Sequence, residues 1–249
     1  MPVLQPLRHP VLAAVACASG QFLLTLAILL AGRALAPPQA FGTVKLVAFA
    51  STIALPLLLA HVFGLWKQVG LAFDKVRPAP VFLACMLLVP LALSFGVQQR
   101  AGSSFGGDLL VQFLNAFGEE LLFRGVIFAL LLRLPVWQAV ALNGLLFGAM
   151  HLLHGFMGAP WASALTQAGW TTLGGMMFCA VRLRTGSLWL AIVLHMAKNL
   201  AVMYSAAGHD AAEVLQGVTA IVELAVVAWV LRSAAADERS TARPVASLP

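Results

Sequence analysis

Eight apolar runs, each about as long as a bilayer is thick, take up nearly the whole of the 249-residue chain, at about 11–32, 43–64, 80–97, 109–132, 136–154, 163–181, 188–206 and 214–232. A helix needs about 20 mostly apolar residues to cross the hydrocarbon core. No water is available there, so backbone polar groups must be satisfied internally, by a helix or a closed barrel. The even alternation of barrel strands is missing. The chain is therefore read as an all-α polytopic membrane helix bundle of about eight transmembrane helices, a reading that 61% hydrophobic and 10% charged residues support. Pro37–Pro38, Pro78–Pro80 and Pro160 mark connections, where a residue without an N–H does least harm. One membrane domain, 1–233, is expected, followed by a polar, flexible tail over 234–249, and no soluble domain. The first run follows Arg8 but exceeds the usual signal-peptide core, so it is expected to be retained. No fixed-period repeat or low-complexity segment is visible.

Lys and Arg set the orientation, because positive loops stay cytoplasmic. On the side of the N-terminus lie Arg8, Lys67, Lys75, Arg77, Arg133, Arg182, Arg184, Arg232, Arg239 and Arg243, and on the other Arg33, Lys45 and Arg100. Both termini are expected in the cytoplasm. The net charge of +6 is then mostly a topology signal, and a nucleic-acid partner is excluded because no basic soluble face or recognition module is present. Cys17, Cys85 and Cys179 each fall in a predicted span without metal-type spacing, and read as small buried residues.

Against this background a few polar residues stand inside the spans: Glu119, Glu120, Arg124, His151, His195, Lys198 and Glu223. A central charge costs about 2.5–3.5 kcal/mol on insertion scales, so such residues usually face the bundle interior and carry function. Glu120 and Arg124, four apart in "GEELLFRG", lie about 40° from each other around a helix and can pair, while Glu119 points about 100° away, free to face a cavity. Taken alone, the stretch is equally a buried ion-pair cluster tying two helices together. Two further pairs share the four-residue spacing: Phe147 with His151 and His195 with Asn199.

These three motifs, Glu119-Glu120-x-x-x-Arg124, Phe147-x-x-x-His151 and His195-x-x-x-Asn199, resemble in identity and order those of the intramembrane CAAX-protease and bacteriocin-processing group (CPBP, or Abi), which includes the type II CAAX prenyl endopeptidases. The segment Arg184 to Asn199, "RTGSLWLAIVLHMAKN", is also similar to the approach to that group's last motif. The resemblance covers about 108–206. It implies peptide hydrolysis inside the membrane, with Glu119 as general base, His151 helping to position or activate water, Glu120 and Arg124 orienting the site, and His195 with Asn199 stabilising the oxyanion. Burial of Glu119 independently suits it to acid–base work.

Metal dependence stays open at this level. Glu119, His151 and His195 are an acceptable first shell for zinc with water in the open position. The helical pattern HExxH is absent, Asn199 is a poor zinc ligand, and Arg124 would repel a cation, so a metal-free, glutamate-type mechanism is favoured.

Upright helices would place Glu119 and His151 about 21 Å from the cytoplasmic end but His195 about 12 Å, a gap that tilt or a misplaced boundary must close. Lys198 is outside the family pattern, Glu223 is a candidate partner for it, and His154 reads as a surface or mouth residue. Gly144, Gly148, Gly174 and Gly175 read as helix-packing contacts. The same buried groups are compatible with a proton-coupled transporter, although no paired, interrupted halves are visible, or with a non-catalytic membrane scaffold or immunity protein. A chain this short and rich in Arg, Ala and Leu looks bacterial, which points to the inner membrane. The expected partner is a membrane-associated protein or peptide substrate at the lipid bilayer.

Overall fold

The computed structural model describes residues 9–76 and 79–241. Arg8, Arg77, Pro78 and Arg243, like the end of the polar tail, lie outside the described residues. The fold is all-α. Among the described residues eleven α-helices follow one another: α1 Pro10–Leu35, α2 Phe41–Val62, α3 Pro80–Met86, α4 Leu88–Ala92, α5 Phe105–Glu120, α6 Phe128–Leu131, α7 Val136–Met150, α8 Leu153–Phe156, α9 Trp161–Thr185, α10 Leu188–Tyr204 and α11 His209–Thr241, with a π-helical stretch Leu121–Ile127 joining α5 to α6.

Each of the eight apolar runs is helical over most of its length, yet they differ in reach. Among the described residues, four helical segments are long and apolar enough by themselves to cross a membrane: Pro10–Leu35, Pro38–Val62, Val136–Phe156 and His209–Ala235. The third run forms only Pro80–Ala92, about 20 Å of helix, and is divided at Leu87. Pro90 explains the break, since its ring clashes with the carbonyl four residues earlier, at Met86, where α3 ends. In α2, Pro56 is accommodated inside the helix. The carbonyl it frees, Thr52 O, lies where Gly118 of α5 comes close, 3.0 Å from the position a Cβ on that glycine would take. At the far end, α11 runs on to Thr241, so the polar tail expected from Ala234 begins as helix.

Helix ends follow local chemistry. Ser104 caps α5, its Oγ accepting from Gly107 N at 3.2 Å. Gly186, at φ +68°, closes α9 in the left-handed conformation, its N–H returning to Arg182 O.

The tightest helix pair is α7 against α9, set by the small residues noted in the sequence. A Cβ on Gly144 would lie 2.5 Å from Met176 Cγ and 2.8 Å from Thr172 O, and one on Gly148 would strike the Thr172 side chain and sit 2.5 Å from Ala168 O. Close approach of backbones is how helices associate in lipid. Gly148→Leu is expected to destabilise by at least about 1–3 kcal/mol, because the obstruction includes backbone that cannot rotate away. Gly20→Leu in α1, where nothing lies within 4 Å, is the control, and the unfolding midpoint in detergent distinguishes them.

Candidate active site

The motif residues sit on four elements that meet at one level of the bundle. Glu119 and Glu120 end α5, Arg124 lies in the π-helical stretch, Phe147 and His151 stand at the end of α7, and His195 and Asn199 are on α10. The π-helical closure puts one more residue in the turn, which brings positions four apart closer to eclipsed, and Arg124 closes on Glu120. Asn143 of α7 braces this irregular backbone: its Nδ2 donates to Phe123 O at 2.7 Å, and its Oδ1 accepts from Cys179 Sγ at 3.1 Å.

Glu120 and Arg124 form the buried frame. Arg124 Nη1 is 3.2 Å from Glu120 Oε1, with both side chains fully buried, and Nη2 donates to Gly175 O at 3.1 Å. The guanidinium also lies 4.1 Å from the Phe147 ring centroid and 5.1 Å from that of Phe178, a cation–π arrangement strengthened by desolvation. Gly175 has to be glycine for this contact, since a Cβ would lie 3.2 Å from Arg124 Nη2 and 3.0 Å from Phe147 Cδ1.

His195 joins the frame to the cavity. Its Nδ1 donates to Glu120 Oε1 at 2.8 Å, while its Nε2 lies 3.7 Å from Glu119 Oε2. The first contact is a hydrogen bond and the second is too long to be one. Phe178 stacks on the imidazole at 4.9 Å and Phe147 meets it edge-on at 6.0 Å, fixing the ring plane. Glu120 therefore orients His195 as well as pairing with Arg124, as a carboxylate behind a histidine commonly does. Glu119 Oε2 has no hydrogen-bond partner among the described residues.

His151 closes the other side. Its Nδ1 lies 3.0 Å from Phe147 O. A carbonyl can only accept, so Nδ1 carries a proton, and in the neutral ring Nε2 keeps a lone pair. Asn199 Nδ2 donates to Gln112 Oε1 at 3.0 Å, which leaves its second amide hydrogen free. Glu119, Phe147, His151, His195 and Asn199 all line one cavity of about 1520 Å³. Glu120 and Arg124 sit behind its wall.

α10 starts on the folded α2–α3 connection, where Leu188 N donates to Gly70 O and Trp189 Nε1 to Leu71 O, both at 2.9 Å, and this contact sets the height of His195 relative to Glu119. At its other end, Tyr204 Oη donates to Asp108 Oδ2 at 2.9 Å and holds α10 in register with α5. Lys198 pairs with Glu223, as the sequence suggested, and this pair also faces the cavity. Exposed His154 lies at the mouth, with Nδ1 2.6 Å from Gln167 Oε1.

Sequence reasoning missed Gln112, Asn115, Asn143 and Phe178. A signal existed for three of them: Asp108, Gln112, Asn115 and Glu119 follow helical spacing and form one polar stripe on α5, leading to the catalytic candidate. Asn143 stands four before Phe147 on α7, on the same face. Phe178 carried no signal among so many apolar neighbours.

Residues 103–201 match a family model described as type II CAAX prenyl endopeptidase Rce1-like. That interval contains all seven motif residues. None of the curated proteins matches the chain.

Proposed function

We propose that this chain, whose residues 103–201 match the type II CAAX prenyl endopeptidase model, is an intramembrane endopeptidase that hydrolyses a peptide bond of a membrane-associated protein or peptide. The observation that carries this reading is the convergence of Glu119, His151, His195 and Asn199 on one cavity.

In this reading His151 Nε2 accepts a hydrogen bond from a water, and Glu119 takes a proton from that water as its oxygen attacks the scissile carbonyl. The oxyanion is met by His195 Nε2–H, as an imidazolium whose Nδ1–H is held by the Glu120 carboxylate, and by the free amide hydrogen of Asn199. Glu119 then returns its proton to the departing amine as the tetrahedral carbon collapses to a carboxylic acid. One water is consumed and two peptide ends are formed.

A metal-free course is the one we favour. Asn199 is a poor zinc ligand, and the Arg124 guanidinium, paired with Glu120 behind the cavity wall, would repel a cation. Hydrolysis is expected to continue at an undiminished rate after treatment with a strong chelator. Complete loss, restored by added zinc, overturns this point.

The eight apolar runs support eight crossings, the asymmetry of Lys and Arg supports both termini in the cytoplasm, and a short chain rich in Arg, Ala and Leu supports a bacterial inner membrane. The cavity-facing pair Lys198–Glu223 favours a second reading, a proton-coupled transporter. Purified protein in proteoliposomes with a membrane-tethered reporter separates the two: cleavage of the reporter into two peptide fragments supports hydrolysis, and ion flux without fragments supports transport. Peptide mass spectrometry of membranes with and without the active protein identifies the natural substrate.

A further inference from the structure

The cavity is confined to one end of the bundle. α1 lines it only from Gln21 onward and α2 only as far as Thr52; α9 contributes as far as Phe178 and α10 only from His195 onward, with Gln216 and Glu223 from α11. All of these segments lie toward the α1–α2, α8–α9 and α10–α11 connections. The rim there is exposed, with Arg33, Lys45, His154 and Ser163 among its residues.

The other end is closed. The α2–α3 connection folds back under the site, where Leu65 and Val69 are buried, and three hydrogen bonds pin it: Arg182 Nη2 to Gln68 O at 2.6 Å, Leu188 N to Gly70 O and Trp189 Nε1 to Leu71 O, the latter two at 2.9 Å. Phe73 stacks on Trp189 at 4.9 Å. Gly70 permits the fold-back, being at φ +81° with the Arg182 guanidinium where a side chain would stand.

The closed end is also the positive end. Lys67, Arg133, Arg182, Arg184 and Arg232 lie there, and none of them lines the cavity, whereas Arg33, Lys45 and Arg100 are at the open end. Positive loops stay in the cytoplasm. The geometry points to a site that opens away from the cytoplasm, so that the substrate is a membrane-anchored polypeptide whose scissile segment lies on the non-cytoplasmic side. This rests on the protease reading for what happens in the cavity, but the sidedness is independent of it.

The native cysteines, Cys17, Cys85 and Cys179, are all buried, which leaves a low background for thiol labelling of the full-length chain. Ser163→Cys and Lys45→Cys report the rim, and Lys67→Cys, at an exposed position, reports the closed end. In sealed right-side-out vesicles a membrane-impermeant maleimide is expected to label both rim variants at once and Lys67→Cys only after permeabilisation. Two rim positions keep the test valid if one variant does not accumulate. The reverse pattern overturns the proposal. In parallel, an anchored reporter with its cleavable segment outside is expected to be cut, and the same reporter inverted to be spared; cutting of the inverted reporter alone also overturns it. Rim labelling from outside with neither reporter cut supports the sidedness and counts against hydrolysis.

Discussion

Glu119→Gln is expected to cut cleavage of a membrane-tethered reporter to a small residual rate while the protein accumulates and unfolds as the native chain does. The amide is nearly isosteric with the carboxylate, and Glu119 bears none of the buried frame: its Oε2 has no hydrogen-bond partner among the described residues, and its side chain is 22% exposed to the cavity. What the substitution removes is the proton acceptor. General-base catalysis contributes about 10²–10⁴-fold, and a residual rate in that range below the native one is the expected reading. The unfolding midpoint should stay within about 0.5 kcal/mol of native stability, as for substitutions away from packed or paired groups. Full retention of cleavage removes Glu119 from the mechanism. Unchanged cellular behaviour together with absent hydrolysis in both proteins favours a scaffold.

Helical geometry is what makes Glu119 and Glu120 separable from the sequence. A pairing of Glu120 with Arg124 at four-residue spacing commits one carboxylate and turns the other elsewhere, and the structure has Glu120 fully buried and Glu119 facing the cavity. The coarse fold was readable for a similar reason, since a chain in lipid has few options. Three things were not readable. The π-helical stretch depends on Asn143 receiving the Phe123 carbonyl, a contact between helices. The short third run depends on Pro90 acting at Met86, which a hydropathy pattern does not register. The placement of His195 depends on a connection, 63–76, that folds back beneath α10 and hydrogen-bonds its first turn. Each is a tertiary decision, and together they turn three motifs at different expected depths into one site.

Arg124→Ala is expected to be among the most destabilising single substitutions in the chain. Removing one partner of a buried ion pair costs about 3–5 kcal/mol, because the charge left behind has lost its compensation. Here the loss is compounded: Glu120 loses its guanidinium, Gly175 O its donor, and Phe147 and Phe178 the planar cation between them. Arg124→Lys should recover little of this, since a single ammonium cannot reach Glu120 and Gly175 O together while lying flat on Phe147. The unfolding midpoint in detergent and the yield of folded protein measure both. The decisive comparison is the pair Arg124→Met with Glu120→Gln. Deleting both charges removes the orphaned carboxylate, so the double variant should be more stable than Arg124→Met alone. It should still be inactive, because His195 Nδ1 then faces an amide that cannot hold an imidazolium. Stability regained with activity still absent separates the structural duty of Arg124 from the chemical duty of Glu120; activity returning with stability would mean that His195 does not need the carboxylate behind it.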